Sequence, residues 1–281
     1  MHLGHARTAL VTWLRARAAK GAIVMRIEDL DTPRVREGSE PSILADHEWL
    51  GLDWDEGPHH QSSRLERYDA VLAELGERTF RCTCTRKEVH EASAPHEDPG
   101  VYPGTCREGP SHPERDAALR FRMDVAPAPF VDALHGPVDG GHADDFVLRR
   151  RDGLHAYQLA VVVDDHDMAI SEVVRGDDLL SSTPRQIALY EALGWEPPEW
   201  LHVPLVIGED GARLAKRHGA IAIAAYREAG WSAEALNGML AASLGLLDEA
   251  RPAALAELLE RFDRVGVSGL ASPPFVPPSP D

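Results

Sequence analysis

Two short polar segments about two hundred positions apart set the tightest limit on what this chain can fold into. The first is His2-Leu3-Gly4-His5, which opens a stretch whose apolar residues Leu10, Val11, Leu14 and Ala18 recur at helical spacing and which Lys20-Gly21 closes. The second is Arg213-Leu214-Ala215-Lys216-Arg217, which follows the turn Glu209-Asp210-Gly211. A helix start presents backbone N–H groups that no helix carbonyl can reach, so it attracts anions. Gly4 has no Cβ to hold a nucleotide at a distance, and His2 and His5 can donate hydrogen bonds to charge building on a phosphate. Each segment alone also fits a plainer account, a surface histidine pair and a solvated basic turn.

The segments between them carry a resemblance. Met25-Arg26-Ile27-Glu28-Asp29-Leu30-Asp31-Thr32-Pro33-Arg34, the run His155 to His166, Val174-Arg175-Gly176-Asp177-Asp178-Leu179-Leu180 and Ser182-Thr183-Pro184-Arg185-Gln186 follow one another as in glutamyl-tRNA synthetases. With them, the two end segments resemble the HIGH and KMSKS signatures of class I aminoacyl-tRNA synthetases. The likeness runs from residue 2 to about residue 245. It is narrowest to the branch that lacks the anticodon-binding region, because 281 residues cannot hold both a full catalytic body and that region. Members of that branch attach glutamate to queuosine in the anticodon of tRNA(Asp).

The resemblance implies a role for each matched residue. His2, Gly4, His5, Arg213 and Lys216 would meet ATP, with His2, His5 and Lys216 serving the chemistry; Ala215 stands where the family usually has Ser. Glu28 would receive the ammonium group of L-glutamate, while Tyr157 and Arg175 would hold the substrate, the Arg by a bidentate grip on its side-chain carboxylate. Glu28 could instead be a strand-end acid paired with Arg26 or Arg34, and Tyr157 an ordinary half-buried strand aromatic. Cys82, Cys84, Tyr102 and Cys106 resemble the structural zinc site of that branch, with His90 or His96 as possible replacements for the Tyr and three buried thiols as the alternative. Adenylation calls for Mg²⁺ with ATP, not a catalytic zinc. Two other readings stay open: a glutamate-activating ligase with another acceptor, tRNA(Glu) or a carrier, and a catalytically impaired nucleotide- or tRNA-binding paralogue.

An apolar fraction of 43% describes a compact globular chain. No apolar run approaches the ~20 residues that span a bilayer, and no basic, apolar, cleavable leader is visible, so a cytoplasmic monomer that makes no use of a membrane is expected. Three close Cys in such a chain suit a metal better than disulfides. The net charge of −17 sits awkwardly with a tRNA partner, whose phosphates call for a local basic face, for which Arg149-Arg150-Arg151 with Arg213, Lys216 and Arg217 are the candidates.

The expected fold is α/β, a Rossmann-like parallel nucleotide-binding sheet of the class I synthetase type with an inserted zinc-containing module and a short helical C-terminal region. Residues 1–79 form the first half of the catalytic domain, 80–151 the inserted module and 152–220 the second half with the KMSKS-like loop. Residues 221–270 form the helical tail and 271–281 a Pro-rich disordered end. From Tyr157 the sheet is expected to resume as a strand. In the family a strand and loop precede the first motif and complete the amino-acid pocket. The codons upstream of Met1 are therefore expected to encode an Arg-x-Ala-Pro-Ser-Pro-like segment, and the 281-residue form to be poorly soluble or inactive.

Overall fold

The computed structural model describes residues 1–31, 38–92, 101–141, 144–207, 222–271 and 275–277. The chain starts with helix α1 (Leu3–Ala18), followed by strand β1 (Val24–Ile27), α2 (Ser39–Leu50), β2 (Glu56–His60) and α3 (Leu65–Leu75). Leu3, Ala6, Leu10, Val11 and Leu14 lie on one side of α1 and are completely buried. Each of the larger ones contributes about 1.5–3 kcal/mol by leaving water. Strands β1 and β2 pair in parallel with α2 as the crossover between them.

A second group of strands departs from this parallel pattern. Strands β3 (Thr79–Cys82), β4 (Ala118–Phe121) and β7 (Val147–Arg149) make an antiparallel sheet in the order β3-β4-β7, with the short helix α4 (Arg86–Ala92) after β3. Strands β5 (Phe130–Asp132) and β6 (Gly136–Val138) form a hairpin, and β5 joins the far side of a parallel pair made by β8 (Glu172–Gly176) and β9 (Glu199–Val203). Helix α6 (Thr183–Leu193) is the crossover between that pair. The order in the larger sheet is β6-β5-β9-β8, which leaves β8 at its edge. Strands β1 and β2 form a separate two-stranded sheet.

Helix α5 (Tyr157–Asp167) corrects the expectation of a strand from Tyr157 onward. Leu159, Ala160, Val161, Val162 and Val163 are all buried, so no periodicity separates an inside from an outside face. An apolar run of that kind reads equally as a buried strand or a buried helix. Helices α3 and α6 pack on α5 from two sides, and tertiary burial outweighs the β preference of three consecutive valines.

The remaining helices, α7 (Ile223–Glu228), α8 (Ala233–Ser243) and α9 (Leu255–Val265), lie close to the segments expected for a helical tail. Helices α8 and α9 pack against α1 and share its apolar cluster. Within the end expected to be disordered, Phe275 is held in place. Its amide donates to the Leu205 carbonyl and its own carbonyl accepts from Ile207, forming a bridge beside Val206. No helix among the described residues is long and apolar enough to cross a membrane.

Candidate active site

A cavity of about 820 Å³ lies between the two parallel sheets and against α1. Val24, Met25 and Arg26 of β1 form one wall and Val173 to Gly176 of β8 the other. Six of the eight residues expected to handle ATP or glutamate line it: His2, Gly4, His5, Glu28, Tyr157 and Arg175. Arg213 and Lys216 fall in 208–221, outside the described residues.

Helix α1 lines the cavity from its amino end at His2 onward. His2 is the N-cap, and its Nδ1 accepts the His5 amide at 3.3 Å. That bond assigns the ring proton to Nε2 when the imidazole is neutral. The two imidazoles stack with centroids 3.8 Å apart. A Cβ on Gly4 would press on the His2 ring at 3.2 Å, so the small residue protects the placement of the histidine as well as access to the helix start. Arg7 anchors the same helix from within. It is fully buried and donates to the Pro204 carbonyl at 2.7 Å and to the Ser243 hydroxyl and carbonyl at 3.0 and 2.8 Å. Burial, opposed by Asp177, lowers its guanidinium to about 10.

Glu28, just beyond β1, has a side chain 44% exposed toward the cavity. Its pairing with Arg26 is loose at 3.3 Å, whereas Arg26 reaches Asp165 of α5 at 2.6 Å. Burial pushes the Asp165 carboxyl above the usual range and Arg26 pulls it back; burial raises Glu28 likewise against the pull of Arg26, and the Arg26–Asp165 pair fixes β1 to α5.

Arg175 is the most informative side chain in the site. Only 8% exposed, it donates Nε–H to His202 at 3.0 Å, one terminal nitrogen to Gln186 at 2.8 Å and the other to the Thr183 hydroxyl at 2.8 Å. Two further contacts, to the Tyr157 hydroxyl and the Leu179 carbonyl, are long at 3.4 Å. Trp200 lies under the guanidinium, 4.9 Å from its centre. Every acceptor is neutral, and among the described residues no carboxylate lies within ion-pair distance. Burial lowers the guanidinium from its ordinary value, yet it stays a cation. Asp165 and Glu28 act on it only from beyond ion-pair distance, and a buried cation without a direct ionic partner is stabilised by an anionic ligand that pairs with it. Tyr157 and Leu179 line the cavity together with Arg175, so the two long contacts mark where a carboxylate can take over.

The cysteines converge at the end of β3. The three thiol sulfurs lie within 4.8 Å of one another. The Tyr102 hydroxyl is 3.4 Å from Cys82 Sγ and 3.8 Å from Cys84 Sγ, and it accepts the Cys106 amide at 2.7 Å. Three sulfurs and one phenol oxygen around a common point suit a tetrahedral metal of the zinc type. Burial pushes the Cys106 thiol up, but hydrogen bonds from Ser111 and Thr83 outweigh it and bring the thiol down to about 5, the thiolate form a metal needs. The Tyr102 hydroxyl lies beside the sulfurs, His90 is not grouped with them, and His96 lies outside the described residues.

Sequence reasoning missed Asp132, Gln186, His202 and Asp165 as parts of the site. Gln186 and Asp165 lay inside recognised segments, but His202 and Asp132 stood in stretches with no motif. The Arg149–Arg151 triplet does not present three free cations. Arg149 meets Asp69 at 3.3 Å, Arg150 meets Asp152 at 2.6 Å and Asp31 at 3.5 Å, and Arg151 donates to the Thr83 and Cys84 carbonyls beside the cysteine cluster.

An α/β core with a helix start and charged side chains lining one cavity is compatible with a nucleotide-dependent catalytic domain. The family model for tRNA synthetases class I (E and Q), catalytic domain, matches residues 1–253. A glutamyl-Q tRNA(Asp) synthetase of Deinococcus radiodurans is 52% identical over 242 residues, covering 82% of this chain and 80% of that protein. One of Symbiobacterium thermophilum is 46% identical, covering 94% of this chain and 88% of the relative. The chain therefore belongs to the class I glutamyl- and glutaminyl-tRNA synthetase family, in its glutamyl-Q tRNA(Asp) synthetase branch. Among solved structures, a glutamate tRNA ligase of Elizabethkingia meningosepticum in complex with its amino acid superimposes with a TM-score of 0.80 at 28% identity. The match covers 98% of this chain and 64% of that one, so this chain spans less than two thirds of the ligase's length.

Proposed function

We propose that the protein activates L-glutamate with ATP and Mg²⁺ and transfers it to queuosine at the wobble position of tRNA(Asp), acting as a cytoplasmic monomer. The observation that carries this reading is Arg175, a buried cation hydrogen-bonded to neutral acceptors, with the nearby carboxylates Asp165 and Glu28 beyond ion-pair distance, in the wall of the cavity that the start of α1 also lines. The substrate's side-chain carboxylate supplies the missing charge at Arg175 with Tyr157 alongside, and its ammonium group meets Glu28. The α-carboxylate then attacks the α-phosphate of ATP, pyrophosphate leaves, and His2, His5 and the α1 amides stabilise the charge on the phosphate. Arg213 and Lys216 bring further positive charge from the 208–221 segment. Acyl transfer to the acceptor hydroxyl releases AMP. Positioning and electrostatics carry both steps, with no covalent bond to the protein.

The test is pyrophosphate exchange on the full-length protein. Glutamate and ATP alone should support exchange without tRNA. Labelled glutamate should then pass to tRNA(Asp) containing queuosine and not to the same tRNA with guanosine at that position. Transfer to tRNA(Glu) instead would move the acceptor assignment, and absence of exchange would remove the activation step.

Cys82, Cys84, Tyr102 and Cys106 are proposed to hold one structural zinc, whose contribution is to cross-link β3 to the 102–106 segment. Protein prepared without chelator should contain about one zinc per chain, as four-ligand structural sites do. Cys106→Ser should lower that content and loosen the β3-β4-β7 sheet while the parallel strands stay folded. Metal analysis that finds no zinc would reduce the cluster to three thiols.

A further inference from the structure

Behind the Arg175 guanidinium, on the side away from the cavity, lies a chain of two side chains that adenylation does not touch. Asp132 at the end of β5 and His202 in β9 are both completely buried. One carboxylate oxygen of Asp132 accepts the Leu134 and His135 amides at 3.0 and 2.9 Å. The other accepts the His202 amide at 3.0 Å and the ring at Nδ1 at 2.7 Å. With its proton on Nδ1, the imidazole presents Nε2 as an acceptor, and Arg175 donates its Nε–H there at 3.0 Å. The Thr183 hydroxyl lies 3.2 Å from the same nitrogen and also accepts from Arg175. We infer that His202, held by Asp132, is a positioning residue for substrate recognition: it fixes the guanidinium plane of Arg175 through a neutral acceptor, so that orientation is transmitted without the countercharge.

This inference rests on Arg175 being the receptor for the substrate carboxylate. Its physical content is the choice of an imidazole over a carboxylate at this position. An acid in contact with Arg175 would hold the guanidinium equally still but would neutralise it, and a bound anion would then compete with that internal partner. Placing the negative charge of Asp132 one ring farther away keeps the order and leaves the attraction for the ligand. The charged or titratable groups facing His202 are Asp132 and His135 from β5 and the turn after it, Arg175 of β8, and Asp177 just past it. Burial moves the ring below the usual histidine range, with the Asp132 hydrogen bond opposing, in keeping with a neutral imidazole.

Three substitutions at this one position separate orientation from packing. Glutamate affinity would be read by calorimetry and the glutamate and ATP KM by pyrophosphate exchange, all on the full-length protein. His202→Leu removes the acceptor and should weaken glutamate binding about tenfold or more, with the ATP KM and kcat within about threefold. His202→Gln, whose amide oxygen can take the place of Nε2, should restore binding to within about threefold of wild type. His202→Glu places a carboxylate on Arg175 and should weaken glutamate binding by about a hundredfold, well beyond the Gln variant, even if the Leu variant does not fold. Equal glutamate affinity in the Gln and Glu variants would overturn the inference, as would equal losses in Leu and Gln. Wild-type protein that binds no glutamate would overturn the reading of Arg175 and this inference with it. Wild-type binding that all three changes leave intact would overturn the inference alone.

Discussion

Replacing Arg175 by Ala should lower kcat/KM for glutamate by about two to three orders of magnitude, with most of the change in the glutamate KM. The guanidinium is buried and lacks a carboxylate partner among the described residues, so its charge is available to the ligand. Losing one member of a desolvated, hydrogen-bonded charge pair costs about 3–5 kcal/mol, and each 1.4 kcal/mol is a factor of ten. Arg175→Lys keeps the charge but not the fork. It cannot satisfy His202, Gln186 and Thr183 together while also gripping two carboxylate oxygens, so it should fall between wild type and Ala. The check is steady-state pyrophosphate exchange at varied glutamate with ATP saturating. An unchanged glutamate KM in both variants would move the substrate carboxylate elsewhere in the cavity.

Lys216→Ala should cost about a hundredfold in kcat for the same exchange, the usual scale for removing a group that stabilises transition-state charge. Lys216 lies outside the described residues, so this expectation comes from the family motif. The diagnostic is the parameter affected. A lysine that only binds ATP would change the ATP KM, whereas one that acts as charge develops lowers kcat and leaves the glutamate KM near wild type. Exchange at the wild-type rate would remove the KMSKS-like assignment from this loop.

Much of the fold was legible because periodicity and punctuation agreed. The apolar stripe Leu10, Val11, Leu14 and Ala18, closed by Lys20-Gly21, marked α1. Helix α5 was misread because Leu159 to Val163 is apolar on every side, so the sequence carries no phase to read. The candidate site divides in the same way. Residues in short motifs, such as His2, Gly4, His5, Glu28 and Arg175, could be named in advance. His202 and Asp132 could not: their relevance comes from β5, β9 and β8 lying side by side, and such adjacency leaves no local pattern in a chain read one residue at a time.

The division of the parallel strands into two sheets bears on how the empty and filled protein move. Glu28 follows a strand of the smaller sheet and Arg175 belongs to the edge of the larger one, and no ladder of backbone hydrogen bonds joins β1 to β8. Each strand is instead tied by a side-chain strut to a helix, β1 through Arg26 to Asp165 of α5 and β8 through Glu172 to Arg15 of α1. Struts of this kind permit breathing that a continuous ladder would suppress. In the proposed binding mode, an amino acid with its ammonium end at Glu28 and its carboxylate end at Arg175 would be a tie-rod across the opening. Occupancy at a hundred times Kd would then add about 2.7 kcal/mol to stability, and separating the two sheets would require giving up one end of the ligand.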